Sequence, residues 1–282
     1  MKTGFLSLIA LLAFAGNSVL CRLALLQGAI DPTGFTVIRL LSGMVVLMLI
    51  LAINRGQAAE SSASTGSWLA ALSLFVYAAG FSFAYQSLDT ATGALILFGV
   101  VQIAMVGSSV LSGHRPSSIQ WLGLTIAIVG LLYLLLPDSN RPSLFGASLM
   151  AVAGVAWAVY SLLGQGSVNP VRTTAYNFLK ALPFALLLLL LTWDTLQLSS
   201  NGVWLAIASG ALTSGLGYAV WYAALRSLST LNAAVVQLSV PIIAALGGLM
   251  FSHESISLRL AVATCLVLMG ILLVMFPRMR RV

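Results

Sequence analysis

Three cations in this chain stand where cations are costly. Arg22, Arg39 and Lys180 each fall inside a long apolar run. At membrane depth an ionisable side chain must be paired or wetted, so each is a functional candidate. An arginine grips a planar carboxylate through two parallel N–H bonds, and a lysine acts on it as a point charge. Cations lining a cavity therefore suit a substrate that carries a carboxylate or phosphate. The plainer reading is snorkelling to the interface. The arginines lie about 6–8 Å from their expected helix ends, and Lys180 about 9 Å, at 1.5 Å per residue. Asp31 and Asp89 are the nearest plausible partners for the two arginines.

Uncharged polar residues mark the expected membrane midplane. Asn17, Ser18, Cys21 and Arg22 form one helical stripe, and Gln102 shares a stripe with Phe98 and Ser109. Gln237 and Pro241 share a face. Proline cannot donate its backbone bond, so Pro241 is expected to free the Gln237 carbonyl and mark a helix break or gate. Either amide serves equally well as interhelical glue. Aromatics recur at helical spacing: Tyr77 with Phe81, Trp157 with Tyr160, and Tyr218 with Tyr222. They read as the walls of a small-molecule cavity, with plain packing as the alternative. Gly210, Ser214, Gly215 and Gly217 leave one side of their helix smooth, for close packing or sliding.

Several chemistries are missing. Cys21 and Cys265 are isolated, no metal-ligand spacing occurs, and neither metal nor cofactor is expected. No catalytic dyad falls at membrane depth, so an integral-membrane enzyme or a non-transporting sensor is the weaker reading. The basic residues are scattered singly, which argues against nucleic acid. No Asp or Glu falls within a helix core, so substrate exchange or facilitated diffusion by rocking halves is expected over proton coupling.

These residues must be positioned by membrane helices. The chain has 282 residues, 60% hydrophobic and only 7% charged. A soluble domain carries roughly 25% charged residues; here the outer surface must face lipid. Ten apolar runs are long enough to span, at about 4–26, 34–53, 67–87, 91–111, 118–136, 143–163, 174–192, 201–225, 230–250 and 258–276. They fall into two matched halves, 1–137 and 138–282. Ala15-Gly16 and Asp31-Pro32 recur 138 residues later as Ala153-Gly154 and Asn169-Pro170. A signal-peptide cleavage after Ala15 would cut this matched block, which argues against it. Five helices per half is odd, so the second copy must enter the membrane from the opposite side. The expected fold is all-α and polytopic: ten transmembrane helices as two inverted five-helix repeats around a central cavity, an arrangement many secondary transporters share. Loops on the side of the N-terminus hold eight Lys and Arg against two on the other side. Both termini are therefore expected in the cytoplasm, with the chain in the inner membrane.

Ten helices in a five-plus-five duplication resemble the drug/metabolite transporter superfamily, specifically its EamA-domain type. The resemblance covers essentially the whole chain. Its more specific block is Leu238-Ser239-Val240-Pro241-Ile242-Ile243, then Phe251-Ser252-His253-Glu254-Ser255-Ile256-Ser257, then Gly270 in the last helix. These look like the family's helix-nine proline, the acid that ends that helix, and the closing helix. The first half departs from the pattern, with Gln102 in place of the proline and Arg115 in place of the acid. The resemblance implies export or exchange of small metabolites such as amino acids or similar carboxylate-bearing compounds, with organic phosphates or nucleotide sugars as the alternative. The expected partners are a small-molecule substrate and the bilayer.

Overall fold

The computed structural model describes residues 2–26, 28–53, 65–111, 113, 116–137, 142–164, 167, 169–225, 237 and 239–279. Among them the chain is helical, and the only β contact is a single bridge between Ile30 and Leu198. The helices are α1 (Lys2–Leu26), α2 (Pro32–Ile53), α3 (Trp68–Ala84), α4 (Thr90–Leu111), α5 (Ser118–Leu135), α6 (Leu144–Gly164) and α7 (Pro170–Leu191). After a short 3₁₀ turn come α8 (Ser200–Ala208), a π-helical stretch (Ser209–Leu216) and α9 (Gly217–Leu225), which run on as one rod. The described chain ends with α10 (Val240–Phe251) and α11 (Leu258–Met279). Seven spans among the described residues are long and apolar enough to cross a membrane, one of them Ser200–Trp221 within the rod. The remaining apolar helices are shorter.

Helix starts follow from side-chain chemistry. Asp31 Oδ1 accepts from the Thr33 and Gly34 amides at 2.9 and 3.0 Å and caps α2, whose first residue is Pro32. Asn169 Oδ1 accepts from the Arg172 amide at 3.1 Å and caps α7, whose first residue is Pro170. An oxygen acceptor followed by proline satisfies orphan donors and presets φ for the first turn. The two pairs that match at 138 residues thus do the same work. Proline at the first position also places the start of α7 four residues before the expected 174. The described part of the expected 230–250 span begins only at Val240, with Pro241 in its first turn, where a missing N–H breaks no bond. Residues 226–236 and 238, and Arg115, lie outside the described residues.

Packing follows one rule. With α8, the π stretch and α9 taken as one rod, α3 packs on α6 as the rod packs on α1. Likewise α4 packs on α6 as α10 packs on α1, and α2 on the rod as α7 on α3. The pairs α2–α7, α4–α10 and α5–α11 complete the set. Exchanging first-half helices for their second-half counterparts reproduces the arrangement.

The α5–α11 pair is joined through small residues. A Cβ on Gly123 would overlap the Gly270 carbonyl, and one on Gly130 would come within 2.9 Å of Leu266 Cβ. With no hydrophobic drive between helices in lipid, such backbone contact supplies the association. Gly270→Leu is expected to overpack this seam at a cost of about 1–3 kcal/mol. The check is a lower melting temperature in detergent, with Leu272→Ala, on the exposed side of α11, changing little.

Candidate functional site

Arg39 decides the site. It is 2% exposed, so it does not snorkel. Its Nε donates to Ser214 Oγ at 3.1 Å and its Nη2 to the Tyr77 hydroxyl at 3.0 Å. The guanidinium lies 5.1 Å from the ring centres of both Tyr77 and Phe81. Its Nη1 has no hydrogen-bond partner, and no carboxylate pairs with it among the described residues. Its backbone is seated by glycine: a Cβ on Gly210 would collide with the Arg39 carbonyl and Ser42 Oγ. The smooth face of the rod therefore lets α2 close on it.

Asn17 organises the other side. Its Nδ2 donates to the Tyr77 hydroxyl at 3.3 Å. Its Oδ1 accepts from Ser209 Oγ at 2.6 Å and from Thr213 Oγ1 at 3.4 Å. Ser209, Thr213 and Ser214 all belong to the π stretch, and all are buried. A π turn shifts the register of the helix and often accompanies a functional site. Here it directs three hydroxyls at α1 and α2. Sequence reading missed Ser209 and Thr213; their one visible signal is hydroxyl spacing inside a glycine-rich segment.

Between these groups is an enclosed cavity of about 20 Å³, room for about one water. Asn17, Ser18 and Ser214 supply polar lining. Phe14, Tyr77, Trp157 and Tyr218 supply rings, with Phe81 beside them. The Trp157 ring centre lies 4.7 Å from that of Tyr77 and 5.2 Å from that of Tyr218.

Six of the expected site residues thus come together: Asn17, Arg39, Tyr77, Phe81, Trp157 and Tyr218. Tyr160 is buried one ring further out, 5.6 Å from Trp157. Gln102 is buried on α4, one turn from the lining residue Phe98. Gln237 is half-buried and isolated among the described residues. The Tyr222 side chain lies outside them.

The other two cations are elsewhere. Lys180 Nζ donates to the Gly66 carbonyl at 3.0 Å and lies 5.8 Å from the Trp68 ring centre. Beside it, Asn177 Oδ1 accepts from the Ser67 amide at 3.0 Å. Lys180 thus ties α7 to the start of α3. Arg22 is held at the far end of α1. Its Nε donates to Glu254 Oε1 at 2.9 Å, its Nη1 to the Tyr85 carbonyl at 2.9 Å, and its Nη2 to Asp89 Oδ1 at 3.2 Å. Asp89 is the partner the sequence suggests; Asp31 is not. Both Asp31 oxygens are occupied by its own helix start and by the Gln197 amide. Glu254 is the missed partner. A left-handed His253 (φ 52°) turns the chain back after α10, and Glu254 Oε2 accepts from the Thr90 amide at 2.8 Å.

A bundle of lipid-length apolar helices around buried polar groups is the architecture of a membrane transporter. The comparisons agree. The model of the EamA-like transporter family matches residues 1–136 and 144–276, and the chain belongs to that family. An uncharacterized protein of Pseudomonas aeruginosa is 49% identical over 99% of this chain and 96% of its own. The Bacillus subtilis uncharacterized transporter YoaV is 22% identical over 89% of this chain and 90% of its own. The threonine/homoserine exporter RhtA of Salmonella typhimurium is 29% identical over 56% of this chain and 54% of its own. One crystal structure superposes with a TM-score of 0.67 over 99% of both chains at 19% identity, a likeness of fold.

Proposed function

We propose that the chain is a secondary transporter that exports or exchanges small carboxylate-bearing metabolites, amino acids among them, by alternating access. Arg39 carries this reading: a buried cation with an unpartnered Nη1 beside an aromatic cavity. A buried charge that lacks a partner is costly. A substrate carboxylate supplies that partner. One free cation corner suits a monoanion, whereas a phosphate dianion would draw on Arg22 or Lys180, which are engaged elsewhere. The likeness to a protein named as a threonine/homoserine exporter supports the amino-acid class.

The scaffold is read as ten spans in two inverted five-helix halves, 1–137 and 138–282. The exchange-symmetric packing and the matched Asp31-Pro32 and Asn169-Pro170 caps support it. The charge bias of the loops sets both termini in the cytoplasm of an inner-membrane protein. In that frame, Arg22, Asp89 and Glu254 close the outer end, and Lys180 with Gly66 ties the inner one. A cavity that holds one water is a closed intermediate; the halves must rock for substrate to enter.

Counterflow in sealed liposomes tests the reading. Amino acids with a free carboxylate are expected to drive uptake of labelled substrate, and their carboxamides are not. Equal counterflow by acid and amide would overturn it.

A further inference from the structure

The cavity beside Arg39 has a second end, made of rings rather than charge. The Phe14, Tyr77, Trp157 and Tyr218 rings are inclined, not stacked. Phe14 lies at 74° to Trp157 and 72° to Tyr218, and Trp157 lies at 47° to Tyr77 and 50° to Tyr218. Mutually inclined rings present faces around a common space, the arrangement that receives a cation through ring quadrupoles. No Asp or Glu lines the cavity.

Lining oxygens that would accept from an N–H are taken. The Tyr77 hydroxyl already accepts from Asn17 and Arg39. Asn17 Oδ1 accepts from Ser209 and Thr213, and Ser214 Oγ accepts from Arg39 Nε. A primary ammonium brings three N–H donors, and each needs an acceptor once desolvated. A fully alkylated ammonium brings none and presents only charge and apolar surface. One end thus offers a donor for a carboxylate, Arg39 Nη1, and the other offers ring faces without an acid.

We infer that the preferred substrates are zwitterions that join a carboxylate to a quaternary ammonium, with Arg39 holding the first and the Phe14–Tyr77–Trp157–Tyr218 rings the second. The inference rests on the carboxylate reading of Arg39 and narrows it. Trp157 is the central ring, in contact with each of the other three, and sets the preference for the cationic head.

The test uses purified full-length protein and four ligands: trimethylglycine, its uncharged-head carbon isostere 3,3-dimethylbutanoate, glycine and phenylalanine. Binding is read by thermal shift and by competition in liposome counterflow. Trimethylglycine is expected to bind at least about tenfold tighter than 3,3-dimethylbutanoate, the increment of a desolvated cation–π contact, and ahead of glycine and phenylalanine. Trp157→Phe keeps a ring and is expected to keep the preference; Trp157→Leu is expected to bring the two isosteres within about threefold. Should Trp157→Leu fail to fold, the wild-type series decides alone. Equal binding of the isosteres, or glycine or phenylalanine ahead of trimethylglycine, overturns this inference and leaves the carboxylate reading standing. Silence from all four, and from other amino acids, removes both.

Discussion

Arg39→Met is expected to abolish saturable transport while leaving the melting temperature unchanged or raised. The two halves of this result have one cause. The charge is buried, and its Nη1 makes no bond. An apolar side chain of similar length fills the same space and removes the desolvation penalty, and such replacements of buried charge are often neutral or stabilising. A carboxylate that depends on the guanidinium loses hydrogen bonds to a charged group worth about 1.5–3 kcal/mol each. Losing two such bonds lowers affinity by at least about a hundredfold. Arg39→Lys keeps the charge but not the planar fork, and is expected to fall between. A residue kept at a cost to stability and needed for transport is a functional one. The opposite pattern, a Met variant that melts several degrees lower yet transports at the wild-type rate, would make Arg39 a structural strut between Ser214 and Tyr77.

How far this site was legible depends on which interaction defines each residue. Apolar length and loop charge depend on local composition, so the helices and the matched halves can be read along the chain. The Asp31-Pro32 and Asn169-Pro170 pairs are likewise local, because a cap acts on its own next turn. For Arg39, distance to a helix end leaves snorkelling and burial equal; the choice was made by Gly210 and Ser214, far along the chain, which let α2 close on the rod. Glu254 and Arg22 meet across 232 residues, a juxtaposition that no single-sequence spacing encodes. The π stretch was hidden for another reason. It differs from an α-helix only in which carbonyl each amide selects, and a run of glycine and small hydroxyl residues is consistent with either. Lys180 misled because its helix begins earlier than the apolar run, and its ammonium finds a carbonyl rather than the cavity.

Glu254→Ala is expected to open the end of the bundle that Arg22 closes. Glu254 joins three elements at once: it follows α10, pairs with Arg22 on α1, and caps α4 through the Thr90 amide. The Glu254 and Arg22 side chains are only 11% and 9% exposed, so solvent screens the pair weakly. Removing one member of such a pair costs about 3–5 kcal/mol when the other is orphaned. Arg22 keeps Asp89 and the Tyr85 carbonyl, which brings the expectation to the lower bound, about 3 kcal/mol, or a fall of about 6–12 °C in melting temperature. Glu254→Gln retains an oxygen for the Thr90 amide and loses the charge, and is expected to fall roughly half as far. Access is read on Cys21, which is fully buried and adjacent to Arg22. In a Cys265→Ser background, a membrane-impermeant maleimide is expected to label Cys21 at least about ten times faster in Glu254→Ala than in the parent, the shift that about 1.4 kcal/mol of bias toward an open state produces. The label should enter from the side opposite the termini. An unchanged melting temperature together with unchanged labelling would reduce the Arg22–Glu254 contact to a surface pair and leave closure of this end to the Ile30–Leu198 bridge and the Asp31–Gln197 bond.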